Sequence, residues 1–358
     1  MKTIISPIDT KLLKQELTPD RLLRPTNKAH NEVYVVNAHN APNVMREIGR
    51  LREISFRMAG GGSGNELDID EYDLMPNPYW QLIVWDPSAE KIVGGYRFFV
   101  GKQVEFDAAG QPKFTMSHLF KFNKNFIENY LPYTIELGRA FVQPEYQMAR
   151  MGMKSMFALD NIWDGLGALI HRVQDARYFI GKITIYNNYN PEARELIYEY
   201  MHRYLPDKDK LIEPYKPVET SKTSKETASK IFDDSDSLQQ NYKTLQKAVK
   251  ARGETVPSLF NAYIGLSNTL RMLGTAQDPN FGSTYETGIM LAISDLSESK
   301  RKRYIEPYIE YLKTVISEIK ETQSRWVAKR RRKKVNKRNR KERKKTERKK
   351  DKITPTIT

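Results

Sequence analysis

Residues 132–142 read Pro-Tyr-Thr-Ile-Glu-Leu-Gly-Arg-Ala-Phe-Val, and the turn after them, Pro144-Glu-Tyr-Gln-Met-Ala-Arg-Met-Gly152, opens a long apolar pattern. This succession constrains the chain more than any other. The β-branched and aromatic residues of 133–142 read as a strand. Side chains alternate along a strand, which predicts Glu136 and Gly138 on one face and Leu137 and Arg139 on the other. The stripe Met153, Met156, Trp163, Leu166, Ile170 and Val173 has helical spacing and predicts a helix over about 153–176. A strand passing through a short turn into a long helix is a unit of layered α/β architecture.

The flanking segments extend that pattern. Pro42 opens a helix with Val44, Ile48, Leu51 and Ser55 on one stripe, ended by Gly60-Gly-Gly-Ser-Gly64. Residues 80–85 and 91–100 predict a hairpin. A strand follows over 179–186, and Asn190-Pro191 caps and opens a helix to about 204. Residues 207–235, rich in Lys, Asp, Ser, Thr and Pro, read as a long connection. Beyond it the pattern predicts helices over 237–252 and 257–273, with Gly253 and Gly274 past their ends. A strand over 285–293 and a helix over 297–328, bent at Pro307, complete the body. The implied division is a core at 1–206, the connection at 207–235, a completing segment at 236–328 and a tail at 329–358.

Charge isolates the tail. The chain has 59 Lys/Arg and 44 Asp/Glu, a net of +15; residues 329–352 alone hold 17 basic and 3 acidic residues. That leaves 42 basic and 41 acidic residues elsewhere, so the body is near neutral. The tail reads as a solvated extension without regular structure, suited to an anionic membrane surface, nucleic acid or an acidic partner. Few aromatics interleave its charges and the body lacks a basic face, which disfavours nucleic acid. The chain has no cysteine, so disulfides, thiolate metal sites and cysteine nucleophiles are excluded. No apolar run has the length of a membrane span or the form of a signal peptide. A cytoplasmic protein, peripheral to the membrane at most, is expected.

The strand–turn–helix unit also carries chemistry. Glu136 before a Gly- and Arg-bearing turn and a helix N-terminus can hold an anionic thioester beside a general base. The bland reading is an ion pair between Glu136 and Arg139. Gln147-x-x-Arg150-x-Gly152 is a degenerate Q/R-x-x-G-x-G/A phosphate loop with one of its two glycines, or else an ordinary turn. Leu67-Asp-Ile-Asp-Glu-Tyr-Asp73 is acidic; as a calcium loop it fails, with Asp73 where glycine is needed and Tyr79 where glutamate is needed. It reads as a solvated loop or a site for a small amine. The five histidines, at 30, 39, 118, 171 and 202, lack metal spacing and read as surface or packing residues. No metal is expected.

Taken in order, several short segments resemble a family. They are Arg52-Glu-Ile-Ser-Phe56, Asp70-Glu-Tyr-Asp73, Gly94-Gly-Tyr-Arg97, Glu136-Leu-Gly-Arg139-Ala-Phe-Val142, Trp163-Asp-Gly165 and Asp278-Pro-Asn-Phe281. Over about 30–310 the chain resembles the GNAT-like, acyl-carrier-protein-dependent N-acyltransferases of hemolysin type, which make glycine and ornithine lipids. More distantly it is similar to acyl-homoserine-lactone synthases. The resemblance implies a GNAT-like α/β fold with a mixed central sheet, extended by C-terminal helices and the basic tail. It implies transfer of a long, often 3-hydroxylated acyl chain from acyl carrier protein to an amino acid, with no bound cofactor. Arg52, Asp70, Asp73, Arg97, Glu136 and Arg139 become the implied catalytic residues, and the turn residues Gln147, Arg150 and Gly152 are read beside them as the pantetheine contacts. Glu136 is then expected as base, Asp70 and Asp73 at the amine, and glycine before ornithine as acceptor. The alternatives are a nucleic-acid-binding protein with a degenerate body and a lactone-forming signal synthase.

Overall fold

The computed structural model describes residues 1–148 and 152–350, with 327–328 and 335–350 given by backbone alone. Its strands are β1 (Leu22–Pro25), β2 (Glu32–Val36), β3 (Trp80–Asp86), β4 (Lys91–Val100), β5 (Phe120–Phe122), β6 (Thr134–Val142), β7 (Tyr178–Ile185), β8 (Ile212–Pro214), β9 (Arg271–Asp278) and β10 (Thr284–Ala292). Eight of them form one sheet in the order β1-β2-β3-β4-β6-β7-β10-β9, while β5 and β8 pair separately. All neighbours in the large sheet are antiparallel except β6 and β7. A parallel pair needs a crossover, and the predicted helix supplies it.

The helices are α1 (Thr10–Glu16), α2 (Pro42–Ala59), α3 (Glu71–Leu74), α4 (Lys124–Asn129), α5 (Met153–Arg172), α6 (Pro191–Tyr204), α7 (Lys222–Ile231), α8 (Leu238–Lys250) and α9 (Ser258–Ile264). As expected, α2 starts at Pro42, buries Val44, Ile48, Leu51 and Ser55, and ends at a left-handed Gly60, φ 99°. Asn190 caps α6 by accepting from the Ala193 amide. The α2 core contains Tyr34, Val36, Ile83 and Trp85. On α5, a Cβ at Gly165 would lie 2.7 Å from Leu82 and 2.9 Å from Val33. Leu82 and Ile83 point oppositely, so α2 and α5 cover opposite faces of the sheet.

Several expectations need correction. Of the α5 stripe only Trp163 and Leu166 are buried; Met153 and Met156 are exposed, and Ile170 and Val173 are half-buried. Residues 207–235 carry β8 and α7. The helix expected over 257–273 stops at Ile264, and 271–278 is β9. The same apolar residues that suit a helix here satisfy their backbone by pairing with β10. Gly274, expected as a helix cap, has φ 93° at a bulge in that ladder.

Residues Met1–Glu306 form one unit and the chain from Pro307 another. A five-residue π turn, Arg301–Ile305, directly precedes the terminal helix Glu306–Lys350, where composition suggests a bend and then an irregular tail. Among the described residues no helix is long and apolar enough to cross a membrane.

Candidate active site

The two central strands part after one short stretch. β6 and β7 pair from Thr134↔Tyr178 to Leu137↔Gly181 and then diverge, though both strands continue. A cavity of about 500 Å³ lies at this notch. It is lined by Ser55, Phe56 and Ala59 of α2, Ala140–Val142 of β6, Ser155, Ala158, Leu159 and Ile162 of α5, and Tyr186 beyond β7. Helices from both faces of the sheet thus meet at one opening.

On one side of the notch stands a network of arginines and aspartates. Asp70 and Asp73 form a capping box on α3, which fixes both carboxylates. Arg52 is fully buried, contacting Asp73 Oδ2 at 3.3 Å and donating to Gln81. Gln81 in turn donates to Asp73 Oδ1 at 2.9 Å. Arg97 donates to Asp70 at 2.7 Å and lies 3.4 Å from Asp73. Burial opposes the Arg97 charge, but Asp70, Asp73 and Asp68 outweigh it and hold the guanidinium firmly protonated. Burial pushes the Asp70 carboxyl up, but Arg97 and Arg139 together pull it below its ordinary value. The side chain of Asp70 is 30% exposed and that of Asp73 only 1%, so Asp70 is the carboxylate that remains open.

Arg139 joins the same network, contrary to simple alternation. The β4–β6 ladder has a register shift between Gly95↔Phe141 and Arg97↔Gly138, which gives β6 one extra residue. Arg139 has a left-handed φ of 48° there. This turn of the backbone brings its guanidinium 3.0 Å from Asp68 and 3.7 Å from Asp70, and 4.3 Å above the Phe281 ring. Burial raises the Asp68 carboxyl, against the pull of Arg139 and Arg52. Asp68 and Asp73 of the acidic stretch 67–73 are therefore buried in an ion network, with Asp70 at its open edge, rather than held in a solvated loop.

Glu136 does not pair with Arg139. It is fully buried and accepts from Tyr79 Oη, from Thr115 Oγ1 at 2.8 Å, and from the amides of Thr115 at 3.2 Å and Met116 at 2.9 Å. Four donors occupy a carboxylate that the sequence suggests as an open base. This geometry makes Glu136 the anchor of the segment around Thr115. Burial, then Glu136, pushes the Tyr79 hydroxyl well above its ordinary range, keeping it a donor.

Of the expected donor contacts, Gln147 lines the cavity and donates to the Val142 carbonyl. Gly152, φ 54°, is the N-cap of α5. Arg150 lies outside the described residues.

A second polar group flanks the notch, and no local sequence pattern joins its residues. Asp278 of β9 accepts from His118 Nε2 at 2.9 Å and from the Asn280 amide at 3.0 Å. His118 Nδ1 lies 2.7 Å from the Thr115 carbonyl, so His118 links β9 to the segment that holds Glu136. Lys182 of β7 lies 3.8 Å from Asp278 and 4.0 Å from Glu286. Burial raises the Asp278 carboxyl, but the His118 bond and Lys182 bring it below its ordinary value. His118 and Asp278 are 160 positions apart, and only the D-x-x-F element pointed to either.

Comparison with known proteins gives two kinds of match. Residues 51–156 match the acetyltransferase (GNAT) domain model, a stretch that runs from the second half of α2 through β3, β4 and β6 to the start of α5. The chain is 50% identical over 310 residues to proteins named glycine N(alpha)-acyltransferase in Phocaeicola vulgatus and Bacteroides thetaiotaomicron. The alignments cover 87% of this chain and 94% and 91% of those proteins. Among solved structures it is similar to FeeM, an N-acyl amino acid synthase from uncultured soil microbes, with 9% identity, TM-score 0.35, and 74% and 93% of the two chains covered. It is also similar to BjaI, a CoA-dependent acyl-homoserine lactone synthase, with 10% identity, TM-score 0.34, and 76% and 89% covered.

Proposed function

The chain belongs to the family of the glycine N(alpha)-acyltransferases and is an acyltransferase, and from that premise we propose that it moves a long acyl chain from the thioester of acyl carrier protein to the amino group of glycine. Ornithine is the second acceptor, and the product is an N-acyl amino acid destined for an aminolipid. The observation that carries the reading is the notch between β6 and β7: its 500 Å³ cavity is lined by Ala140–Val142, and Arg139, the residue just before that lining, belongs to the Arg–Asp network.

The reaction joins the acceptor nitrogen to the thioester carbonyl carbon and breaks the carbon–sulfur bond. The ammonium loses two protons; the leaving thiolate takes one and solvent the other. Asp70, the open carboxylate, receives the ammonium, with Arg97 and Arg139 holding it in place. Arg52 and Asp73 fix the network behind it. Glu136 acts through the segment it anchors. Gln147, which lines the cavity, and Gly152, the N-cap of α5, would hold the pantetheine arm, with the helix N-terminus suited to its phosphate. One glycine in this turn, where a CoA loop has two, allows the backbone less close approach to a pyrophosphate and favours the single phosphate of a carrier protein.

The basic run from Lys329 adds a membrane role on the cytoplasmic face. Each Lys or Arg near an anionic surface contributes on the order of 1 kcal/mol, which would keep the enzyme near its lipid-like product. Mass spectrometry of lipids from cells expressing the chain tests the reading. An N-acylglycine absent from control cells is expected; an unchanged lipid profile would contradict it.

A further inference from the structure

Lys182 has bonding capacity that its surroundings leave unspent. Its side chain is 15% exposed, yet among the described residues its ammonium makes no hydrogen bond within 3.5 Å, and its two ion partners stand 3.8 and 4.0 Å away. An ammonium has three donors, and burying them unpaired is costly. The partners do not need those donors. Asp278 accepts from His118 and Asn280, and Glu286 accepts from Thr184 Oγ1 at 3.1 Å and Thr284 Oγ1 at 2.8 Å.

Its place in the sheet is equally specific. Leu137↔Gly181 is the last paired position of β6 and β7, so Lys182 is the first residue past it, at the vertex of the notch and level with Gly138. Gly138 pairs with Arg97 on its other side and presents no side chain. The Arg97 side chain leans over this glycine, with Nε 3.5 Å from where a Cβ would stand, so across Gly138 no side chain but that of Arg97 separates the network from Lys182 on β6 itself. Arg97 carries Asp70 on that side.

We infer that Lys182 binds the carboxylate of the amino-acid acceptor, opposite the Asp70 side that takes its ammonium. The inference rests on the proposed acceptor class and extends it to a residue-level basis for choosing an amino acid over a simple amine. Asp278 and Glu286 have their own donors, from His118, Asn280, Thr184 and Thr284, so the Lys182 ammonium is the group left to meet an acceptor carboxylate.

The test compares glycine with glycinamide, which has the amine and lacks the carboxylate, using full-length protein and acyl-carrier-protein thioester. The readout is the ratio of kcat/KM values for the two acceptors. In Lys182→Met this ratio should fall about 10- to 100-fold, the range for losing one hydrogen bond to a charged group, mostly through the KM for glycine. Lys182→Arg, which keeps the charge, should keep most of the preference. Lys182→Gln is the second neutral variant should Lys182→Met fold poorly. A wild type that prefers glycine, with a preference the neutral variants retain, overturns the inference alone. Equal losses on both acceptors would place Lys182 at the thioester and overturn it as well. A wild type that accepts neither amine would overturn the acceptor assignment and the inference together.

Discussion

Arg97 Nη1 lies 2.7 Å from Asp70 Oδ2 and 3.4 Å from Asp73 Oδ2, so one guanidinium serves an open carboxylate and a sealed one. The two aspartates should therefore respond differently to neutralisation. Asp73→Asn breaks a buried ionic network and should cost about 3–5 kcal/mol of stability. Asp70→Asn, at a partly exposed position and with Arg97 still held by Asp73, should cost clearly less. It should lower glycine-dependent turnover about 10- to 100-fold, as expected for one charged contact. Urea titration alongside thiol-release kinetics separates the two.

Glu136 gathers four donors, so Glu136→Gln should act first on the segment it holds. The new amide group would face the donors of Thr115 and Met116 and leave one unsatisfied, a cost on the order of 1–3 kcal/mol. Hydrogen exchange at the Thr115 and Met116 amides should accelerate, and turnover should fall with it. Lost turnover with unchanged exchange at these amides would instead return Glu136 to direct chemistry.

Arg139 is a non-glycine residue at φ 48°, and backbone and side chain can be tested apart. Both Arg139→Ala and Arg139→Gly remove the ion pairs with Asp68 and Asp70. Only glycine relieves the left-handed backbone, so Arg139→Gly should be more stable than Arg139→Ala by about 1 kcal/mol. Equal urea midpoints would contradict the strain.

Burial raises Asp164 on α5 to about 6, against the Asn27 amide bond and Arg24. Its folded value lies above its unfolded one, so the folded state binds the extra proton. Stability from this group is fully present below about pH 4 and is lost as pH rises through 6. Asp164→Asn removes that loss. Its stability relative to wild type should therefore increase between pH 4.5 and 7.5, by up to about 3 kcal/mol. Urea midpoints at the two pH values check the sign.

The basic run gives a separable prediction. Truncation after Ala328 removes nearly all the excess charge and should leave turnover on soluble substrates intact. Binding to anionic vesicles should weaken, and salt should weaken it in the full chain, since screening acts over about 8 Å at physiological ionic strength. Equal, salt-insensitive co-sedimentation of both forms would contradict a membrane role. Duplex or RNA binding lost on truncation, without vesicle binding, would favour nucleic acid.

Much of the frame was legible because it is local. Pro42 and the Val44–Ser55 stripe, the hairpin of β3 and β4, and Asn190 before Pro191 each specify an element through spacing or a cap. What failed depends on distant partners. Residues 271–278 become a strand only because β10 lies beside them. Arg139 changes face through a bulge that alternation cannot foresee. Asp278 and Lys182 meet through the β7–β10–β9 register, and His118 reaches Asp278 from the segment before β5, with nothing in their own neighbourhoods to join them. The Asp70–Asp73 and Glu136–Arg139 segments were visible as motifs, yet their division into an open carboxylate, a sealed ion network and a saturated anchor required the packed structure.

The central claim is aminolysis of a carrier-protein thioester by an amino acid. Its most direct test follows free carrier thiol released by purified full-length protein from 3-hydroxyacyl- and acyl-carrier-protein, with and without glycine. The account predicts glycine-dependent release matched mole for mole by N-acylglycine in the mass spectrum. Release that neither glycine, ornithine, serine nor lysine accelerates would contradict it.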